Sequence, residues 1–276
     1  MFQPPRIKSA PGGMGRRSRT RRSLPERGRQ HICPRKLSLP QAHLNRIGPM
    51  NDRDAFETAL KRATSSINLV LDEKQLTCMW QHFTLMVEAN RRFNLTRITD
   101  PAEAAVKHYA DSLSLLATPW ANPADPLAVL DVGTGAGFPA VPLAAVCENW
   151  SVTAIDSTGK KARFVSDAGA VLGLPNLSVR QVRAADLARH WELRFDLVLM
   201  RAVAQIARGI EEVHSLVNPT GAVVFYKSAE IRREELAAGA AEARRRGLPA
   251  VTIHALQLPI SGATLERRLI RYARSP

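Results

Sequence analysis

The sequence predicts an α/β protein: a doubly wound, mostly parallel sheet closed by an antiparallel hairpin and preceded by an N-terminal helical extension. Three observations carry this. Strand and helix patterns alternate from Leu127 onward, which is the signature of a parallel sheet with crossover helices. One of these transitions, L-A-V-L-D-V-G-T-G-A-G-F-P-A-V-P-L at Leu127–Leu143, passes from a buried strand through a glycine turn into a helix. That is the nucleotide-binding device of such sheets. Two late strand patterns joined by a short Pro/Gly loop then close the chain as a hairpin.

Residues 1–49 stand apart. They hold twelve Lys/Arg against the single acid Glu26, whereas residues 50–276 hold 27 Lys/Arg against 24 Asp/Glu. The net charge of +14 therefore belongs mostly to this Arg-, Pro- and Gly-rich segment, and it is a weak argument for a nucleic-acid partner. Without apolar periodicity the segment is expected to be a disordered basic arm. A targeting peptide is a competing reading, opposed by the many Pro and Gly. A third is a translation start placed too early, since Met50 directly precedes the first patterned helix. No apolar run approaches the ~18 residues of a membrane span. Cys33, Cys78 and Cys147 lie far apart with no CxxC or nearby His pattern, which argues against a disulfide framework or a metal site and fits a cytoplasmic protein.

The first helix carries Phe56, Leu60, Ala63 and Ile67; the second Leu76, Met79, Trp80, Phe83, Met86 and Val87. Both have one apolar face. A third starts at Asp100 (N-cap), Pro101 (first helical position) and Glu103, a capping-box spacing. Its stripe is Val106, Tyr109, Leu113 and Leu116, and His108, Asp111 and Ser112 are neighbours on another face. That His–Asp pair reads equally well as an ordinary supporting contact. Residues 50–118 thus form a helical region. Pro119–Pro126 reads as a linker, and residues 119–276 as the sheet domain. In it, strands are expected at Leu127–Val132, Ser151–Ile155, Leu177–Val182, Phe195–Met200 and Ala222–Tyr226, then Val251–Leu258 and Arg267–Tyr272 for the hairpin. Helices are expected from Lys160 to Gly173, across Ile206, Ile210, Val213 and Val217, and over Ala229–Gly247.

Ligands of such sheets bind beyond the carboxyl ends of the strands. The polar residues fall there: Asp131 before Gly133, Gly135 and Gly137; Asp156 after the second strand; Ala184-Ala185 in the loop after the third; Arg201 after the fourth; Lys227 after the fifth. A dinucleotide needs G-x-G-x-x-G, and here the third glycine is displaced, although Asp156 is a suitable ribose acid. S-adenosylmethionine needs an acid near its ammonium group, a turn its backbone lies against and a carboxylate for the ribose, and Asp131, the glycines and Asp156 supply them. Both cofactors remain open on spacing alone.

Several separate motifs in order then make the chain from about Asp52 resemble the bacterial ribosomal RNA small-subunit methyltransferase G family, also called glucose-inhibited division protein B. They are N-L-T at Asn94–Thr96, H-Y-A-D-S at His108–Ser112, D-V-G-T-G-A-G-F-P-A-V-P-L at Asp131–Leu143, D-S-T-G-K-K at Asp156–Lys161 with Arg163-Phe164, and M-R-A-V-A at Met200–Ala204. Two positions depart from the family pattern: Ala140 and Ser228 stand where the family commonly has Gly. The resemblance implies a Rossmann-like class I S-adenosylmethionine-dependent methyltransferase that modifies N7 of one guanine in small-subunit (16S) rRNA, free or in an assembling small ribosomal subunit. It implies cofactor contacts at Gly133, Gly135, Phe138, Asp156, Ala184, Ala185 and Arg201. For Arg201 the competing reading is an ion pair with Asp131 or Asp156. No metal and no catalytic acid or base is expected, because N7 already presents a lone pair. RNA contacts are expected from Arg91, Arg92, Lys160, Lys161, Arg163 and Lys227, and the chain is expected to be a cytoplasmic monomer. A methyltransferase of small molecules or proteins, a nicotinamide-dependent enzyme and a non-catalytic RNA-binding module are the other classes that suit this pattern.

Overall fold

The computed structural model describes residues 50–190, 194–202 and 205–274; the basic segment 1–49 lies outside them. The helical region comes first: α1 (Met50–Ser65), α2 (Glu73–Asn90) and α3 (Pro101–Ala104), which runs on through a π-helical segment (Ala105–Ala110), α4 (Asp111–Leu113) and a 3₁₀ turn (Ser114–Ala117). The order then is β1 (Ala128–Val132), α5 (Ala140–Val146), β2 (Ser151–Asp156), α6 (Gly159–Val171), β3 (Leu177–Gln181), α7 (Ala184–His190), β4 (Phe195–Arg201), α8 (Ile206–Val213), β5 (Val217–Ser228), α9 (Arg233–Arg245), β6 (Ala250–Ile260) and β7 (Ala263–Ala273).

The seven strands lie in the order β3-β2-β1-β4-β5-β7-β6. β1 to β5 pair in parallel, and β7 alone runs antiparallel, inserted between β5 and β6. The chain reverses its direction of winding between β1 and β4, so the crevice at their carboxyl ends is the switch point where a ligand belongs. The β6–β7 ladder continues from Leu256↔Arg267 to Ile260↔Ala263, past the last β5 pair, Ser228↔Arg267. The hairpin therefore overhangs that end of the sheet, and its β6 strand meets the turn after α1 through Ser66 Oγ, which donates to the Gln257 carbonyl.

Burial divides the sheet into two faces, as a period of two requires. Val129, Val152, Leu197, Leu199, Val224 and Leu269 face a cluster shared with Phe56, Leu60, Met79, Tyr109, Val141 and Phe164. Leu130, Val198, Met200, Val223 and Ile270 face Leu187, Ile206, Ile210 and Ala243 from α7, α8 and α9. The helical region thus shares one core with the sheet. The same parity puts Asp131, Asp156, Arg201, Tyr226 and Arg267 on the first face, beneath the helical layer. Tyr226 sits beside Arg201 across β4–β5, and one strand over, Ser228 faces Arg267.

Four expectations need correction. The third helix is not a uniform α-helix: its middle is π-helical, a local insertion often found at functional sites. Asp100 caps it by accepting from the Glu103 N–H at 2.7 Å, but the Glu103 carboxylate bonds Lys107 instead of returning to the cap. Val217 opens β5 rather than closing α8. A 3₁₀ turn at His214–Leu216 intervenes, and the ladder slips between Val217 and Ala222, where Pro219 offers no donor. Ala184 and Ala185 lie in the first turn of α7 rather than in a loop.

The complete capping box is on α2. The Asp72 side chain accepts from Gln75 N–H, and the Gln75 side chain accepts from Asp72 N–H. Asp72→Ala should cost about 1 kcal/mol, read as a lowered denaturation midpoint with an unchanged slope.

Candidate functional site

The glycine turn is built against β2. Gly133 and Thr134 both donate to the Ile155 carbonyl, and Gly135 N–H donates to Asp156 Oδ2 at 3.0 Å. Asp156 Oδ1 accepts from Thr158 N–H at 2.8 Å. This carboxylate thus ties the turn to the start of α6, and a carboxylate still has a second lone pair on each oxygen to offer. Gly133, Gly135 and Gly137 have φ of 75°, 61° and 100°, a region L side chains avoid. A Cβ on Gly135 would meet nothing nearer than the Gly133 carbonyl oxygen at 3.9 Å, whereas one on Gly137 would press into Val141 and His82. Gly137 therefore lies against packed protein, and Gly135 borders open space.

Asp131 is fully buried below the turn. Its Oδ2 accepts from Ala140 N–H at 3.1 Å, which gives Ala140 the first-turn contact of α5. Its Oδ1 has no partner among the described residues, nor does Thr134 Oγ. Burial raises the Asp131 carboxyl to about 7; the Thr134 hydroxyl draws it back without closing a bond of good geometry. An orphaned buried acceptor beneath an open glycine turn fits a ligand that brings an ammonium group.

Arg201 closes the other side. Neither Asp131 nor Asp156 is its ion-pair partner. Its Nε donates to Asp111 Oδ2 at 2.8 Å, and its Nη2 to the Lys107 carbonyl. The guanidinium lies over the Phe138 ring, 5.8 Å from its centroid. Phe138 is buried; His108 stacks on it at 4.7 Å, and Tyr109 and His82 meet its edges. Ala202, next in the chain, has φ of 53°, a left-handed conformation costly for a residue with a Cβ and found at strained functional turns. Val203 and Ala204 of the same motif lie outside the described residues.

The N-L-T motif has a structural role here. Asn90 Oδ1 accepts from Leu95 and Thr96 N–H, and the Thr96 hydroxyl bonds His108 Nε2 at 2.9 Å. Burial, and then the charge of Arg201, lower His108 to about 4, so it is neutral near pH 7. His82, at the centre of the helical layer, bonds the Tyr109 hydroxyl through Nδ1 at 2.9 Å and is lowered by burial to about 3. His82, Tyr109, Tyr226 and Arg267 were not expected at the site. A histidine within the apolar stripe of α2 and an arginine within the alternation of β7 are the sequence signals that point to two of them.

Of the cations expected to meet RNA, Arg91, Arg92, Lys160 and Arg163 are exposed and Lys161 is half-buried. Lys227 is ion-paired with Glu235 at 2.8 Å, both side chains mostly buried.

The sequence model of the family described as "GidB: rRNA small subunit methyltransferase G" matches residues 75–261. A ribosomal RNA small subunit methyltransferase G from Solibacter usitatus is 40% identical over 182 residues, 66% of this chain and 83% of the relative. The protein of that name from Anaeromyxobacter dehalogenans is 37% identical over 210 residues, 76% of this chain and 94% of the relative. Among solved structures, the O-methyltransferase from Bacillus cereus in complex with SAH superposes with a TM-score of 0.51 at 17% identity, covering 79% of this chain and 99% of that one. That likeness speaks for the fold: the Rossmann-like sheet of S-adenosylmethionine-dependent methyltransferases. Because the family model spans most of the described chain and these relatives are 37% and 40% identical to it, the chain belongs to the rRNA small subunit methyltransferase G family.

Proposed function

We propose that the chain transfers a methyl group from S-adenosylmethionine to N7 of one guanine in 16S rRNA. The observation that carries the reading is the unpartnered, buried Asp131 Oδ1 below an open glycine turn at the switch point of the sheet. Bound S-adenosylmethionine would supply a methyl group on a sulfonium; as the N7–carbon bond forms, the carbon–sulfur bond breaks and its electron pair stays on sulfur. Asp131 would face the ammonium group, with Gly133 and Gly135 against the chain of the ligand. Asp156 would use its remaining lone pairs for the ribose hydroxyls. Ala184 and Ala185, small residues at the start of α7, would border the adenosyl part, and Phe138 and Arg201 would close the methionine side.

N7 is an acceptor on the major-groove edge of guanine, so no proton has to leave before it attacks. The protein's task is then alignment and exclusion of water, with the target base out of its stack. Burial holds His108 at about 4 and His82 at about 3, which makes both weak proton acceptors, and they are engaged by Thr96 and Tyr109. The exposed Arg91, Arg92, Lys160 and Arg163, with Lys161, are proposed to meet RNA phosphates, and a bacterial rRNA substrate puts the chain in the cytoplasm. Its affinity for rRNA should fall steeply with salt; a flat dependence would sink that part.

The test is incubation of the full chain with labelled S-adenosylmethionine and either 30S particles or stripped 16S rRNA from cells lacking this enzyme, followed by mapping of the labelled base. Label on N7 of a single guanine is expected. Arg201→Ala should bind S-adenosylhomocysteine at least tenfold more weakly and transfer correspondingly less label; unchanged affinity and turnover would remove Arg201 from the site. No label in rRNA, with transfer to a small molecule or protein instead, would overturn the substrate.

A further inference from the structure

Asp111 is 1% exposed and lies where the π-helical segment gives way to α4. Its two carboxylate oxygens are divided between two arginines from different strands. Oδ2 accepts from Arg201 Nε at the end of β4, and Oδ1 from Arg267 Nε on β7, both at 2.8 Å. One carboxylate thus holds two guanidiniums, and the pair carries an uncompensated positive charge. The acid is itself fixed. Its N–H donates to the Val106 and His108 carbonyls, and its own carbonyl accepts from Ser114 Oγ at 2.6 Å. The next residue is anchored from the sheet, where Tyr226 Oη donates to the Ser112 carbonyl at 3.1 Å. The helical layer, the β4 end and the overhanging hairpin therefore converge on one carboxylate. Of Arg201's donors, Nε and Nη2 are spent on Asp111 and Lys107, while Nη1 makes no hydrogen bond among the described residues.

We infer that Asp111 is a positioning residue: it fixes the Arg201 guanidinium over Phe138 with Nη1 left for the bound cofactor, while Arg267 holds the second oxygen and locks the carboxylate in place. The assignment rests on Arg201 as a cofactor contact. Breaking a buried pair from one side leaves a charge uncompensated, so a plain deletion of Asp111 would confuse position with folding. Asp111→Glu keeps the charge and moves the carboxylate by one methylene. Asp111→Asn with Arg267→Gln keeps the charge balance and removes the anchor.

The experiment is calorimetric titration of the full chain and its variants with S-adenosylhomocysteine, alongside thermal melts. Whichever of the two variants melts within about 3 °C of the unmodified chain, a shift of roughly 1 kcal/mol or less at this size, should bind at least tenfold more weakly. Adding Asp111→Glu to Arg201→Ala should weaken binding less than twofold beyond Arg201→Ala alone, because the acid acts through that arginine. Affinity within twofold of the unmodified chain in a well-folded variant, or losses that simply multiply, would overturn the assignment. So would failure of both variants to fold, since fold and affinity would then be inseparable. An unmodified chain that binds no S-adenosylhomocysteine would instead sink the functional reading, and this one with it.

Discussion

Gly137→Ala should destabilise the protein by about 3–4 kcal/mol, the sum of a left-handed backbone forced on a residue with a Cβ and of overpacking in a filled core. Gly137 has φ of 100°, and its added Cβ would lie 2.7 Å from Val141 Cγ2 and 3.3 Å from His82 Nε2. Val141 sits on α5 and His82 on α2, both buried, so the strain cannot be relieved at a surface. The melting temperature should fall by roughly 10 °C for a domain of this size. The same substitution two residues earlier should behave differently. At Gly135, with φ of 61°, the Cβ meets only the Gly133 carbonyl oxygen at 3.9 Å, and Gly135→Ala should cost only about 1–2 kcal/mol of backbone strain. Its methyl occupies the open side of the turn, so its main effect should be on affinity for S-adenosylhomocysteine, a loss on the order of tenfold or more. Melts and titrations of the two variants separate the roles. Normal ligand binding by Gly135→Ala would mean that the turn does not seat the cofactor, and a Gly137→Ala chain as stable as the unmodified one would mean that the α2–α5 packing is soft.

This contrast also shows what a sequence conveys about such a site. Gly133, Gly135 and Gly137 announce a turn that needs positive φ, but spacing says nothing of which one borders solvent and which one touches His82. The strands are legible because each carries a short apolar run that a polar residue ends, Ala128–Leu130 in β1, Ala154–Ile155 in β2 and Leu197–Met200 in β4, as in sheets covered on both sides. The same pattern placed Asp131, Asp156 and Arg201 at carboxyl ends. The partner of Arg201 was hidden for a definite reason. In sequence Asp111 reads only as a polar neighbour of His108, off the apolar stripe of its helix; it becomes buried because residues 109–115 are enclosed by α1, the sheet and the hairpin at once. The π-helical segment has no sequence rule of its own, and Arg267 meets Asp111 across 156 residues, a separation that no local pattern reports. Val217 was drawn into α8 by its spacing from Val213, whereas pairing with Phe195 decides its state. Here tertiary pairing overrode local periodicity.

The second large effect concerns Asp131, where one substitution should raise stability and lower affinity. Burial lifts its carboxyl to about 7 in the folded chain, from 3.8 for the ordinary side chain. Below pH ~4 the group is neutral in the folded and the unfolded chain and contributes nothing; between about pH 4 and 7 the folded chain holds the extra proton, so stability falls as pH rises, and above 7 the full cost of the buried charge is present. Asp131→Asn keeps an oxygen for Ala140 N–H and turns its amide toward the region where Thr134 Oγ lacks a partner. Without the ligand, this variant should therefore be more stable than the unmodified chain at pH 8, by on the order of 1–3 kcal/mol, and indistinguishable from it at pH 4. Binding runs the other way. An ammonium group beside Asp131 favours its charged form, so the unmodified chain should release a proton on binding S-adenosylhomocysteine near pH 6.5, and its affinity should climb between about pH 6 and 7.5. Asp131→Asn should bind roughly 10- to 100-fold more weakly, the usual worth of a charge-assisted hydrogen bond, with no rise across that window. Calorimetry in two buffers of different ionisation enthalpy counts the proton directly. A variant that binds as well as the unmodified chain, or one less stable than it at pH 8, would show that the orphaned oxygen of Asp131 is not held in reserve for a cation.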